Sequence, residues 1–216
     1  MAEDQFSDKY RHTYQRPPGP DDARRWYAWQ IPLRSQPFLI QHTQMVQQVI
    51  SSVSGIHLVS PHWLRLPLCT VGSTDEISYS TANEIAESVA AKLQQIASMD
   101  IEIAGFTSIN GSLVLKLSES EVLDHVQSQI RASADEHTYQ AVTDYHVPIA
   151  VDKTESALDV LAGSYLATTT VRIRIFGVSH VLFNPKSFVT SIWTNLNVLG
   201  LRDRHTPGDW KVGFTR

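Results

Sequence analysis

Two short stretches decide how this chain is read: Trp63-Leu64-Arg65-Leu66-Pro67-Leu68 and Tyr145-His146-Val147-Pro148-Ile149-Ala150. Each alternates apolar and polar side chains and is rich in Leu, Val or Ile, the pattern of a β-strand with one face buried. Side chains alternate with period two, so Arg65 and Pro67 share one face of the first strand, as His146 and Pro148 do in the second. Proline cannot donate to a β-ladder and belongs on an edge or at a bulge. Its recurrence two residues after a cationic or titratable side chain points to a duplicated element. The two copies are expected to face one another across a shared cleft.

The whole chain is compatible with that arrangement. Its 216 residues suit one generous domain or two small lobes sharing a core. Hydrophobic residues make up 42% and charged residues 19%, which excludes a disordered chain. A formal charge of −4 gives no global attraction to nucleic acid or to an anionic membrane. Cys69 stands alone, which excludes an internal disulfide and fits a reducing compartment. Met1-Ala2-Glu3-Asp4-Gln5 has neither the basic nor the apolar part of a secretory signal. No apolar run approaches the roughly 20 residues of a membrane helix. The expectation is a cytoplasmic protein with no membrane partner and an open oligomeric state.

Residues 1–23 are polar and broken by Pro17-Pro18-Gly19-Pro20, and read as a flexible tail; residues 201–216 read as a second tail. Between them, 24–200 form a single two-lobed domain. Its first strand runs from Arg25 to Leu33, with Trp26 and Ala28 on one face and Tyr27, Trp29 and Ile31 on the other. A helix follows over Gln36–Ser54, its apolar stripe drawn through Phe38, His42, Met45, Val46, Val49, Ile50 and Val53. His42 on that stripe reads as a packed core histidine. Capping-box spacings start two more helices, one at Thr81-Ala82-Asn83-Glu84 and one at Ser118-Glu119-Ser120-Glu121. Asn110-Gly111 marks a hairpin between Ile101–Ile109 and Ser112–Leu117. Ser156–Leu166 reads as a short helix and is followed by strands over Thr169–Val178, His180–Asn184 and Phe188–Asn195. Strands and helices recur in both halves without regular alternation, which predicts an α+β fold with antiparallel sheets flanking a cleft and helices outside.

Tyr27-Ala28-Trp29, the long first helix, Trp63–Leu68 running on to Gly72, and Tyr145–Ala150 together resemble the 2H phosphoesterases, in particular the bacterial 2′-5′ RNA ligase family proteins. The resemblance spans roughly residues 24 to 200 and includes the order of elements. It implies a two-lobed fold with a pseudo-two-fold axis and one His-x-Thr/Ser-x motif per lobe. In the family these histidines act as general base and acid at a phosphodiester or 2′,3′-cyclic phosphate without a metal, and the hydroxyls bond the phosphoryl oxygens. By position, the first motif here is Arg65-Leu66-Pro67-Leu68 and the second is His146-Val147-Pro148-Ile149. Of the four functional side chains only His146 is kept. Arginine stays protonated and cannot act as base, and proline offers no hydrogen bond to a phosphoryl oxygen. The family reaction needs groups that give and take a proton near neutral pH. The expected site is therefore a diverted one.

Arg65 can anchor a carboxylate, enolate or phosphate, and His146 can move a proton. Pro67 and Pro148, Tyr27 and Trp29, and Arg172 and Arg174 are candidate substrate-binding residues around them. This combination suits cyclisation, elimination or isomerisation of a small, partly apolar organic anion, of the kind found in secondary metabolism. Two other readings stand beside it: residual phosphodiesterase action on a nucleotide or RNA 2′,3′-cyclic phosphate, and an inert ligand-binding protein. No metal-ligating spacing, phosphate-cradling glycine loop or ladder of exposed aromatics is present, so no cofactor is expected and nucleic acid is disfavoured as a partner. Cys69 reads as a buried, inert thiol, and His180, after Ser179, as an exposed turn residue. His62 falls on the strand face opposite Arg65 and makes a poor substitute for the missing histidine.

Overall fold

The first strand shows how the core is laid down. In the computed structural model, β1 (Trp26–Pro32) turns Tyr27, Trp29 and Ile31 into the main core, while Trp26 and Ala28 join Val181 in a separate small cluster on the other face. The structure describes residues 25–109, 112–135, 137, 139–152, 171–175, 177–183 and 193–201. The expected tails over 1–23 and 201–216 (apart from Leu201, which is buried in the core), the short helix at Ser156–Leu166 and the Asn110-Gly111 turn lie outside these residues.

After β1 come α1 (Pro37–Ile50), β2 (Ile56–Leu58), a 3-10 turn (Pro61–Trp63), β3 (Arg65–Ser73), α2 (Tyr79–Leu93), β4 (Met99–Ile109) and β5 (Ser112–Leu117). Then follow α3 (Glu121–Ala134), β6 (Tyr139–Ala141), β7 (His146–Asp152), β8 (Val171–Ile175), β9 (Gly177–Phe183) and β10 (Trp193–Gly200). The strands make two antiparallel five-stranded sheets, ordered β10-β9-β1-β3-β6 and β2-β7-β5-β4-β8. The fold is α+β, as the sequence predicts.

Three local expectations are corrected. The caps are Ser78 for α2, whose hydroxyl accepts from Thr81 N–H at 3.1 Å, and Ser120 for α3, which accepts from Leu123 N–H at 3.3 Å. Both lie a few residues from the predicted starts, because serines crowd each helix entry and spacing alone does not choose among them. The buried stripe of α1 is Leu39, Thr43, Val46, Gln47 and Ile50, whereas Phe38, Met45 and Val49 of the expected stripe are 80%, 51% and 57% exposed. Two apolar stripes overlap on this helix, and periodicity cannot rank them; the polar Gln47 selects the face. His180 lies within β9, fully buried, stacked on Trp29 with ring centroids 4.6 Å apart.

Gln47 acts where the two sheets exchange strands. The chain leaves β2, at the edge of one sheet, and enters β3 of the other; it leaves β6, at the edge of the second, and enters β7 of the first. Each crossing is held in the same way. Val59 N–H donates to Ile149 O at 2.9 Å, and Val142 N–H donates to Leu68 O at 2.8 Å. Gln47 Nε2 donates to Val59 O and Ile149 O at 2.6 and 2.9 Å. Gln127 Nε2, on α3, donates to Leu68 O and Val142 O at 2.7 and 2.8 Å. Leu33 N–H to Leu64 O and Leu117 N–H to Tyr145 O repeat the relation one step further on. The sequence duplication is thus a pseudo-two-fold in the hydrogen bonding.

Two stability predictions follow from these contacts. Gln47→Leu and Gln127→Leu each strip a buried donor from two carbonyls and should each lower unfolding free energy by about 1–3 kcal/mol in urea titrations; losses under about 0.5 kcal/mol would show the two amides to be idle. His180 is the second test, because its Nδ1 has no partner among the described residues and burial pushes its pKa down to about 4. The unfolded chain then binds a proton that the folded chain refuses, so stability is full above pH ~6.5 and falls as the pH drops toward 4, by up to about 3 kcal/mol. His180→Phe should flatten that acid limb in thermal melts between pH 4 and 7.

Candidate functional site

The motif side chains take their places from the two central strands of the exchange. In β3, Leu66 and Leu68 enter the core, and in β7, Val147 and Ile149 do so, each almost fully buried. Alternation therefore turns Arg65 and Pro67, and His146 and Pro148, onto the faces away from the core. β3 and β7 pack against each other where the sheets meet.

Both ladders break at the same place. The register slips between Trp29↔Cys69 and Gln30↔Pro67, leaving Leu68 as the extra residue. It slips again between Leu113↔Ala150 and Val114↔Pro148, leaving Ile149 as the extra residue. Each proline is thus followed at once by a bulge, one of the two placements a sheet tolerates for proline. The bulged residues are those whose carbonyls Gln47 and Gln127 hold. Pro67 and Pro148 are both buried.

His146 is 5% exposed. Its Nδ1 lies 2.7 Å from the main-chain oxygen of Asp144. A carbonyl can only accept, so Nδ1 carries the proton and Nε2 keeps the lone pair in the neutral ring. Burial holds the imidazole pKa below its ordinary value, against a smaller upward pull from the Asp144 carbonyl and carboxylate. The turn that presents Asp144 is tied down by its neighbour: Tyr145 Oη donates to Asp124 Oδ1 on α3 at 2.9 Å. His146 is thus a neutral base with a fixed tautomer near pH 7.

Register adds a residue that reading along the chain missed. Lys116 of β5 pairs directly with His146, so the two side chains share a face, and Lys116 is exposed. The signal is the cross-strand partner of the motif, visible only once β5 and β7 are paired. Arg65 is half-buried and stands opposite Pro32 of β1.

Four expected site residues lie elsewhere. Tyr27 and Trp29 face the core with His180, on the face of β1 opposite Trp26, Ala28 and Gln30. Arg172 and Arg174 alternate outward as predicted, but from β8 at the far edge of the second sheet, with β5 and β4 between them and β7. That is three strand spacings, roughly 14 Å. Arg172 makes an exposed ion pair with Glu102 at 3.8 Å, and Arg174 donates to Ser98 Oγ at 3.2 Å. His62 lies exposed in the 3-10 turn. Cys69 is buried, and burial pushes its thiol pKa far up, so it is inert. Among the described residues no cluster of three His, Cys, Asp or Glu side chains could hold a metal, and no helix is long and apolar enough to cross a membrane.

The same architecture recurs in solved structures. TT0787 of Thermus thermophilus superposes with a TM-score of 0.63 at 16% identity, covering 84% of this chain and 100% of that one. E. coli LigT complexed with NADP+ gives 0.63 at 12% identity, covering 82% and 98%. The MHV ns2 PDE domain gives 0.51 at 12% identity, covering 73% and 97%. No protein-family model matches the sequence, and no curated protein matches it.

The state of His146 can be measured directly. In histidine-selective NMR its pKa should fall below the ordinary imidazole value of about 6.5, with nitrogen shifts of the Nδ1–H tautomer; a pKa above that value would contradict the buried, neutral ring.

Proposed function

We propose that the 2H phosphoesterase fold, which this chain adopts, here carries out acid–base chemistry on a small organic anion, with Arg65 as anchor and His146 as the single base. The observation that carries the reading is the His146–Asp144 bond, which leaves Nε2 with its lone pair on a buried, neutral ring. Lys116, beside it, supplies a second positive charge for a carboxylate or phosphate. In such a reaction Nε2 takes a proton from a carbon or hydroxyl next to the anchored group. It then returns that proton to a second atom of the same molecule, or to a leaving group. Isomerisation, elimination and cyclisation all fit this single-base cycle.

The fold itself favours a second reading. Structures with the same architecture include E. coli LigT complexed with 3′-AMP, with ATP and with phosphate. Arg65 and Lys116, if both reached one bound anion, would suit a phosphate equally well. Against hydrolysis stand the loss of a second proton-transfer group at Arg65 and of both hydroxyls at Pro67 and Pro148. Each missing hydrogen bond to a charged acceptor is worth about 1.5–3 kcal/mol. A ligand-binding protein without turnover is the third possibility, separated by the same variants.

Purified protein should leave 2′,3′-cyclic nucleotides and oligonucleotides intact; turnover abolished by His146→Ala would favour the phosphodiesterase reading instead. With a converted anion identified by thermal-shift screening, His146→Ala should lower kcat by about 10²–10⁴-fold while binding persists. Arg65→Ala should chiefly raise KM. Loss of affinity alone in both variants would mark a binding protein.

A further inference from the structure

We infer that Gln30 is a ligand-recognising residue of this same site, reading a hydrogen-bond donor on the anion that Arg65 holds; the inference rests on the anion-site reading above. Gln30 lies on β1, on the face away from the core, since Trp29 and Ile31 on either side of it are core residues. Its cross-strand partners are Pro67 on β3 and Ser179 on β9. Pro67 is the motif position that lacks a hydroxyl, and Arg65 lies two residues before it on the same face. Gln30 and Arg65 are therefore diagonal neighbours, about 7–8 Å apart at the backbone and closer at their long side-chain ends.

The Gln30 side chain is 6% exposed, and its Oε1 has no hydrogen-bond partner among the described residues. The buried Ser179 hydroxyl directly opposite does not donate to it. An amide oxygen removed from water and left unpaired destabilises the folded chain. Leucine would fill the position without that cost. A glutamine there makes physical sense as an acceptor that a ligand satisfies. Pro67 removed a donor hydroxyl from this face, and Gln30 supplies an acceptor one strand away. The molecule that suits this face is one that itself carries an N–H or O–H. The ligand class is an organic anion with a hydroxyl, amine or amide N–H about one strand spacing from its carboxylate or phosphate.

The matched probes are benzoate and 3-hydroxybenzoate, titrated calorimetrically into the full chain. 3-Hydroxybenzoate should bind about tenfold tighter, Gln30→Leu should bind the two equally, and Arg65→Ala should weaken both. Gln30→Leu without ligand should melt about 2–4 °C higher, as expected for removing an unpaired buried acceptor from a chain of this size. A lower melting temperature, equal binding by the unmodified protein, or a preference surviving in Gln30→Leu overturns the role of Gln30 and leaves the anion site standing. Failure of the unmodified protein to bind either probe overturns the anion site, and this inference with it.

Discussion

The structure depends on the reciprocal exchange of strands between its sheets. A short strand at the edge of each sheet leads directly into the strand that carries the motif of the other. Neither half can close its sheet without the other, since β6 completes the ladder beside β3 and β2 completes the one beside β7. The crossings are the costly part, because the chain leaves a ladder there and its carbonyls must find donors in a dry interior. Gln47 and Gln127 meet that need, each placing one amide nitrogen between two carbonyls. The same two glutamines fix the bulges that follow Pro67 and Pro148. Positioning of the motif side chains and closure of the fold are therefore one interaction, made twice.

This arrangement explains how a proline can occupy the centre of each motif. β3 and β7 are internal strands, where a missing N–H normally breaks the ladder. Here the ladder is already interrupted by the bulge one residue on, and the bulged carbonyl is held by a side chain from the helix behind. A proline at that position thus costs little stability, and what it changes is the chemistry of the outward face. Neither proline offers a side-chain hydrogen bond on that face, while the bulges and their glutamine clamps stay intact.

The fold was legible in the sequence wherever a physical period was strong. Alternation at Trp26–Ile31 sorted both faces of β1 correctly, and the matched motif stretches announced the duplication. It became illegible where two periodic solutions overlapped. On α1 the stripe through Phe38, Met45 and Val49 is as apolar as the buried one, and the deciding residue is polar. Gln47 wins its place by hydrogen bonds to residues distant in sequence, which no local pattern encodes. The site divides in the same way. The outward placement of Arg65 and His146 follows from alternation, whereas that of Lys116 and Gln30 follows only from register, which depends on bulges that the sequence does not mark. Tyr27 and Trp29 carry the rings that suit a ligand wall, yet their face of the strand is the one the helices cover. Arg172 and Arg174 alternate as expected, but strand order puts β8 at the far edge.

The electrostatics of His146 join burial, register and chemistry at one ring. Burial keeps the imidazole neutral, and the Asp144 carbonyl keeps its proton on Nδ1, so the free protein presents a base whose protonated form is disfavoured. In the proposed reaction that handicap is lifted by the ligand. An anion held by Arg65 and Lys116 brings negative charge to the neighbourhood of the ring, and a nearby opposite charge favours the imidazolium. His146 then becomes a stronger base when a correctly charged molecule is in place than when the site is empty. A neutral analogue that fits the same space would bind without strengthening the base, and would be left unchanged. Under the proposed reading, selection for charge is exerted on the proton-transfer step as well as on binding, and it follows from one buried ring with a fixed tautomer beside Lys116.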